Sequence, residues 1–443
     1  MFDKIKGRID DLYLSFKGIR FYQNFLKKSQ FYKRGQLRDY QYEQLNNLWK
    51  SAFEGTKYYR DLFWEYDFDP YKDFSDISDI KKLPVLTKEV ARKNQHRLAN
   101  DDEIERALEL RTSGTTGEVF KEFVSRKQWE VEQGIVWRHW KWLGYNFRDK
   151  MAIIRSYVPD PGDPLWKLDR TRNFLYFSAY HLNLENAKRY LLKLQSWEPQ
   201  VIRGYPSSLY ILAKMSEELG IDLPPSKGVL TASEMVLPHY KETIEKAFKA
   251  KIFDWYGQAE TTVTMNECDA HEGLHINMEY GLCELVESPE LNDDERKIIA
   301  TNLHNTAMPL IRYDTGDVAK VYTDSKTCSC GRTLPLIRKI IGRSDDLLYG
   351  PDGRVIPSVN LYTMMYHYDD VISFQFIQDD INSIELRLEA QHYNSELESQ
   401  LKRDIKNRFG DNISVSITND VEFVQSEEGK KNPIISNVED VFK

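Results

Sequence analysis

Residues 228–260 read GVLTASEMVLPHYKETIEKAFKAKIFDWYGQAE. Two short apolar runs, 228–231 and 251–256, have the length of strands, and Pro238 opens an amphipathic stretch that closes at Phe248. Strand, helix, strand in that order predicts parallel strands joined by a crossover helix. Sheets of this kind carry their ligand loops at the carboxyl ends of strands. Ser233 and Glu234 follow the first strand, and Tyr256-Gly257-Gln258-Ala259-Glu260 closes the second.

Working outward, the same rhythm predicts strands at 151–157 and from Val201, with helices at 129–143, 184–197 and 207–219. From about Cys268 the rhythm changes, and 281–286, 297–302 and 317–322 alternate like antiparallel strands. Beyond Gly342 come a turn at 351–353, a helix at 361–368 and strands at 373–378 and 383–389. A helix at 395–409 and a strand at 414–417 close that part. Upstream, Phe2, Ile5, Ile9, Leu12 and Phe16 make one stripe of a helix within 1–28, flanked by Lys4, Lys6 and Arg8. That helix is expected to dock on its own domain, with attachment to a membrane surface as the alternative. Residues 40–53 read as a further helix, 83–89 as an extended run entering a helix capped by Thr87, and 119–124 as a strand. The expected class is α/β. A large N-terminal domain (1–342) of helix-covered, mainly parallel sheets would hold a β-rich subdomain at about 265–340, and a small α+β C-terminal domain would span 343–443.

The chain has 443 residues, a net charge of −8 and 41% hydrophobic residues. That length suits one large domain plus a smaller one. The acidic balance argues against broad nucleic-acid binding, which needs a basic face. No apolar run approaches the ~18–20 residues of a membrane span, and no secretory leader is visible. Four cysteines in so long a chain do not make a disulfide scaffold, so the expected compartment is the cytoplasm. Oligomeric state is not readable from these features.

Arg111-Thr112-Ser113-Gly114-Thr115-Thr116-Gly117 puts hydroxyls between glycines. Glycine lets backbone amides turn onto an anion, and the hydroxyls add donors for phosphate oxygens. No lysine follows Gly117 directly, so this is not the phosphate loop of kinases and GTPases. Cys268, His275, Cys328 and Cys330 offer three thiols and an imidazole, a ligand set for tetrahedral zinc, with His271 as a competing ligand. Cys283 lies in an apolar strand and reads as core.

The first run, with Tyr256 to Glu260, Arg312-Tyr313-Asp314-Thr315-Gly316-Asp317, Gly342-Arg343-Ser344-Asp345-Asp346 and Gly429-Lys430, resembles the adenylate-forming ligase superfamily. The likeness is to its phenylacetate–coenzyme A ligase branch, and within it to capsule-polysaccharide-associated members. The resemblance implies that a carboxylic acid and ATP give an acyl- or aryl-adenylate, which is then transferred to coenzyme A or to an amine. A binding module that keeps the fold without turnover is the reading from another class. Residues Thr112, Ser113, Gly114, Thr115, Thr116 and Gly117 would hold phosphates, and Glu260 would hold Mg²⁺. Tyr256 and Gly257 would lie against the adenine, with Ser233 and Glu234 on its other side. Asp317 would take the ribose hydroxyls, and Arg343 the ribose or phosphate. Lys430, rather than Lys431, would be the catalytic lysine, on a small domain turning about Asp345. The branch carries a pattern similar to Gly273-Leu274-His275 with Cys328 to Arg332, which supports structural zinc. The chain departs from the superfamily at Ala259, where Thr or Ser usually touches the α-phosphate; Thr261 and Thr262 stand close by in sequence. Trp137, His139, Trp140 and Tyr205 are aromatic candidates for the acid pocket.

Overall fold

The computed structural model describes residues 13–443 except 114–118, 156, 160–161, 290, 325, 342–346, 366, 369, 421, 425–432 and 439–443. Packing divides the chain into two compact units. The first comprises Met1–Leu110, Lys121–Gly144 and Phe253–Gly342, and the second Arg111–Phe120, Tyr145–Ile252 and Arg343–Lys443. Strands β1 (Leu108–Ser113) and β2 (Val119–Val124) pair as a two-stranded sheet.

The second unit contains the sheet expected from the strand–helix rhythm. Its strands are β3 (Met151–Arg155), β4 (Trp166–Asp169), β5 (Phe174–Ser178), β6 (Val201–Gly204) and β7 (Gly228–Ala232). They lie in the order β4-β5-β3-β6-β7, parallel except at the β4 edge. Ala152, Ile154, Leu175, Phe177, Ile202 and Val229 share one face, and helices Leu184–Trp197, Pro206–Glu218 and Pro238–Phe248 supply the rest of that core. Near-continuous apolar strands follow from burial on both faces. Proline opens two of these helices at a position where the missing amide costs nothing.

In the first unit, β8 (Ile252–Gly257), β9 (Thr264–Glu267) and β10 (Leu274–Ile276) run antiparallel. Strands β11 (Gly281–Val286), β12 (Glu295–Asn302) and β13 (Tyr313–Lys320) form an antiparallel meander. Strand β14 (Leu336–Ile337) joins β10, and β15 (Lys339–Ile341) joins β13. Helix Arg126–Trp142 begins three residues before the expected 129 because Ser125 caps it, its hydroxyl accepting from the Gln128 amide at 3.1 Å.

The N-terminal stripe needs correction. Phe2, Ile5, Ile9 and Leu12 lie outside the described residues, and Phe16 is 66% exposed. The helix does not run evenly to residue 28, because a π-helical turn spans Tyr22–Leu26. That turn sends Tyr22 and Leu26 against Val131, Ile135 and Tyr280, so the segment docks on its own unit as expected. Gly18 and Gly134 permit the close crossing: a Cβ on Gly18 would stand 2.4 Å from that of Gln133.

The segment from 343 onward has its own core around Leu361, Phe374, Phe376, Leu386, Leu401 and Phe409. Strands β16 (Leu347–Tyr349) and β17 (Val355–Pro357) form a hairpin. They lead to a four-stranded sheet of β18 (Val371–Asp380), β19 (Ser383–Ala390), β20 (Ser414–Asn419) and β21 (Ile434–Ser436), ordered β20-β19-β18-β21. Helix Ser395–Phe409, capped by Asn394, packs with it. Tyr349 joins the core of the parallel sheet, and the Arg408 guanidinium lies 4.8 Å from the Tyr180 ring centre.

Candidate active site and metal centre

Strand β8 delivers Tyr256 and β13 delivers Asp317, and the phenol of Tyr256 donates to Asp317 Oδ2 at 2.8 Å. Burial first, then the Asp317 carboxylate, raises the Tyr256 pKa, so it stays a donor. Asp317 is held in turn: its amide donates to Thr315 Oγ1, and that hydroxyl donates to the Ile298 carbonyl. Gly316 takes a left-handed φ of +74° at this bend.

Glu260 is buried at 5% exposure. Its Oε1 accepts from the Tyr313 hydroxyl at 3.1 Å and pairs with Lys88 Nζ at 3.1 Å. Lys88 reaches it because the 83–89 run forms a single parallel bridge, Leu86 with Tyr313, before Thr87 caps the next helix. The following residue, Thr261, has a φ of +47°. Three groups brace it: Gln258 O accepts from its amide, its hydroxyl donates to Glu122 Oε1 at 3.0 Å, and Gln128 Nε2 donates to its carbonyl. Burial, followed by the charge of Glu260, holds the Glu122 carboxyl well above the usual carboxylate range. Thr262 accepts from Gln258 Nε2.

Lys88, Tyr313 and Glu122 were missed as site residues in the sequence. The capped run at 83–89 carried a signal for Lys88. Glu122 had none, since it follows the hydroxyl-rich loop as one charged residue in an alternating strand.

The protein's remaining expected site residues divide between the units. Thr112 and Ser113 end β1, while Gly114, Thr115, Thr116, Gly117, Arg343, Asp345 and Lys430 lie outside the described residues. Ser233 and Glu234 follow β7 in the second unit. Ser233, at φ +76°, accepts from Arg155 Nη2 at 3.0 Å, and Glu234 Oε2 accepts from the Ser207 amide at 2.9 Å. Trp137, His139 and Trp140 belong to the first unit and Tyr205 to the second. His139 is buried among Trp142, Phe253 and Trp255. A cleft of about 400 Å³ lined by Arg38, Tyr42, Ser75, Lys81 and Glu284 contains none of the motif residues.

Among the described residues the Tyr313 and Lys88 contacts of Glu260 fall on Oε1, and a carboxylate is the kind of ligand that Mg²⁺ takes together with substrate phosphates.

Cys268, His275, Cys328 and Cys330 come together, their ligand atoms all within 4.8 Å of one another. Cys268 Sγ is 3.6 Å from Cys328 Sγ, and Cys330 Sγ is 3.4 Å from His275 Nε2. Zinc–sulfur bonds of ~2.3 Å place tetrahedral ligands about 3.8 Å apart, so the edges match. His275 Nδ1 donates to the Leu334 carbonyl at 3.1 Å, which leaves Nε2 facing the thiols. Burial lowers the His275 pKa to about 4, so the imidazole is neutral, as a ligand must be. Amides of Ala270 and Arg332 point at the sulfurs of Cys268 and Cys330. The competing His271 instead sits 3.3 Å from Glu267. Cys283 is part of an apolar cluster, as expected, and burial pushes its thiol up to about 12.

The N-terminal segment braces this centre. Gln30 Oε1 accepts from Trp142 Nε1 at 2.8 Å and Arg332 Nε at 3.0 Å. Ser29 donates to Glu279, which is paired with Arg138 at 2.8 Å in full burial. Removing one partner of such a pair costs about 3–5 kcal/mol.

Residues 348–437 match the CapK C-terminal domain. Protein CapK of Staphylococcus aureus is 26% identical over 82% of this chain and 81% of its own length. A phenylacetate–coenzyme A ligase of Thermus thermophilus is 26% identical over 90% of this chain and 96% of its own. The relatives of this chain are thus CapK and phenylacetate–coenzyme A ligases, each at about a quarter identity over most of both chains. A crystal structure of 2-hydroxyisobutyryl-CoA ligase in complex with 2-HIB-AMP and CoA shares the fold, with a TM-score of 0.59 at 18% identity. It covers 92% of this chain and 91% of that one.

Proposed function

We propose that this protein is an ATP-dependent, AMP-forming ligase. A carboxylate attacks the α-phosphorus of ATP, pyrophosphate leaves, and the acyl- or aryl-adenylate passes to an acceptor, for which coenzyme A is the first choice. The observation that carries this reading is the juxtaposition of Glu260, Lys88 and Tyr313 beside β8, with Tyr256 bonded to Asp317. Joining two anions needs positioning and charge neutralisation more than covalent help. Glu260 would hold Mg²⁺ on the phosphates, and the Thr112–Gly117 loop would supply backbone donors. Asp317 would exchange its phenol partner for ribose hydroxyls.

Lys430 is the proposed catalytic lysine, and Arg343 a further nucleotide contact. The 343–443 segment would turn about Asp345 between the two half-reactions, releasing the contacts of Tyr349 and Arg408. Zinc is the proposed occupant of the Cys268–His275–Cys328–Cys330 set, in a structural role. None of the four cysteines is in a disulfide, which fits a reducing cytoplasm. Among the described residues no helix is long and apolar enough to cross a membrane.

The second acceptor, kept because the sequence resembles capsule-associated members, is the amine of an amino sugar or amino acid in surface-polysaccharide assembly. A non-catalytic module finds its support in Ala259, and the Glu260–Lys88 pairing speaks against it. ATP–pyrophosphate exchange across aryl, fatty and amino acids tests the ligase reading. Exchange with one class names the acid, and hydroxylamine or coenzyme A trapping then separates the acceptors. No exchange with any acid refutes the ligase.

A further inference from the structure

Glu260 takes its direction from the residue that follows it. Thr261 stands at a φ of +47°, a left-handed backbone that a β-branched side chain rarely adopts. Such a conformation persists only where its surroundings hold it. Two of its braces act on the backbone: the Thr261 amide donates to the Gln258 carbonyl at 3.1 Å, and Gln128 Nε2 donates to the Thr261 carbonyl at 2.8 Å. The third uses the side chain, whose hydroxyl donates to Glu122 Oε1 at 3.0 Å.

Glu122 comes from β2, the strand that leaves the 112–117 loop, and it is fully buried. Asn305 Nδ2 donates to the same Glu122 Oε1 at 3.3 Å and to the Met308 carbonyl at 3.1 Å. Asn305 Oδ1 accepts from the Ser125 amide at 2.9 Å, just where helix Arg126–Trp142 begins. One carboxyl oxygen therefore ties β2, the loop at 303–308 and the start of that helix to residue 261. Among the described residues Glu122 Oε2 has no hydrogen-bond partner, so the hold runs through Oε1. A buried carboxyl is a costly acceptor for a threonine hydroxyl. A backbone carbonyl would serve a turn that only had to pack, which gives this glutamate a task beyond packing. The single hydroxyl proton of Thr261 is committed to it, so Thr261 has none left for an α-phosphate in place of residue 259.

We propose that Glu122 is a positioning residue for adenylation: acting through Thr261, it fixes the left-handed turn that aims the Glu260 carboxylate at magnesium, without touching the nucleotide itself. The assignment rests on the ligase reading above and on the metal role proposed there for Glu260.

The test is ATP–pyrophosphate exchange by the full chain over a magnesium titration. Glu122→Met keeps the length of the side chain and removes the acceptor. It should raise the magnesium concentration for half-maximal exchange by about 3- to 10-fold, the worth of one net hydrogen bond, and leave KM for the acid in place. Glu122→Gln should restore most of the loss, because an amide oxygen can accept the same two bonds. Thr261→Val cuts the same link from its other end, so adding it to Glu122→Met should cost little more. A lower melting temperature with an unaltered magnesium requirement in the folded variant overturns the proposal. So does equal damage from Glu122→Gln and Glu122→Met, or full additivity in the double variant. If Glu122→Met does not fold, Thr261→Val decides: a raised magnesium requirement upholds the proposal, and an unchanged one overturns it. Absence of exchange by the wild type with every acid overturns the ligase instead. Manganese titrated in the presence of ATP and followed by its EPR signal then decides the part of Glu122. Weaker binding in Glu122→Met that Glu122→Gln restores upholds it, and equal binding, or none by the wild type, overturns it.

Discussion

Lys88 reaches Glu260 through one backbone bridge: Leu86 pairs with Tyr313, and the ammonium of Lys88, two residues on, stands 3.1 Å from Oε1. The pair is almost out of water, since the lysine side chain is 25% exposed and that of the glutamate 6%. A divalent ion held as proposed would draw on the same carboxylate and would compete with Lys88 for it. Glu260→Gln should therefore depress Mg·ATP-dependent pyrophosphate exchange while the melting temperature moves by only a few degrees. Lys88→Met, which removes the competing ammonium, should lower the magnesium concentration needed for exchange. Unchanged exchange in a well-folded Glu260→Gln protein would remove Glu260 from the metal role.

The thiol–imidazole centre predicts about one zinc per purified chain by elemental analysis. Cys330→Ser should release it and lower the melting temperature, because metal binding free energy contributes to folding. A metal-free preparation of equal stability contradicts the assignment.

Lys430 lies outside the described residues, and its part rests on the family pattern. Lys430→Ala should slow adenylate formation on the order of 10²–10³-fold, the usual loss for one preorganised electrostatic donor. Transfer from preformed acyl-adenylate should stay near the wild-type rate, and Lys431→Ala should leave both steps near normal. Impairment by Lys431→Ala instead would shift the register by one.

Acid should unfold the protein partly through its histidines. His304 is buried, and its Nε2 donates to the Glu279 carbonyl at 2.9 Å. Burial lowers its pKa from 6.5 to about 4. The neutral ring's contribution is thus fully present above pH 6.5 and is lost as pH falls towards 4, the loss by then being on the order of 3 kcal/mol. His181 and His275 are lowered to about 4 as well, burial again leading. Urea midpoints measured from pH 7 to 4 should fall, and His304→Asn should flatten part of the slope. An unaltered slope would mean that His304 titrates alike in both states.

The parallel sheet was readable because its strands alternate with well-capped helices of clear period, as from Gly228 to Tyr256. The β4–β5 pair was not, since Trp166–Asp169 is a short, charged edge whose partner alone makes it a strand. Residue types and spacing picked out the thiol–imidazole cluster, yet could not choose between His271 and His275. That choice depends on β14 pairing with β10, which carries His275 beside Leu336. Lys88 and Glu122 meet the motif residues only through tertiary contact, which no local pattern encodes.

The ties from Ser29 and Gln30 to Glu279 and Arg332 have a consequence for the order of assembly. These partners lie 250 and 302 residues apart in the chain. During synthesis the N-terminal segment must therefore wait, its aromatic face uncovered, until the cysteine loop has left the ribosome. Contacts of such long range form late and leave apolar surface open to aggregation meanwhile. A chain stopped before Cys328 would therefore hold its parallel sheet but leave the first unit unfinished, and nascent chains released at that length should bind chaperones while full-length chains do not.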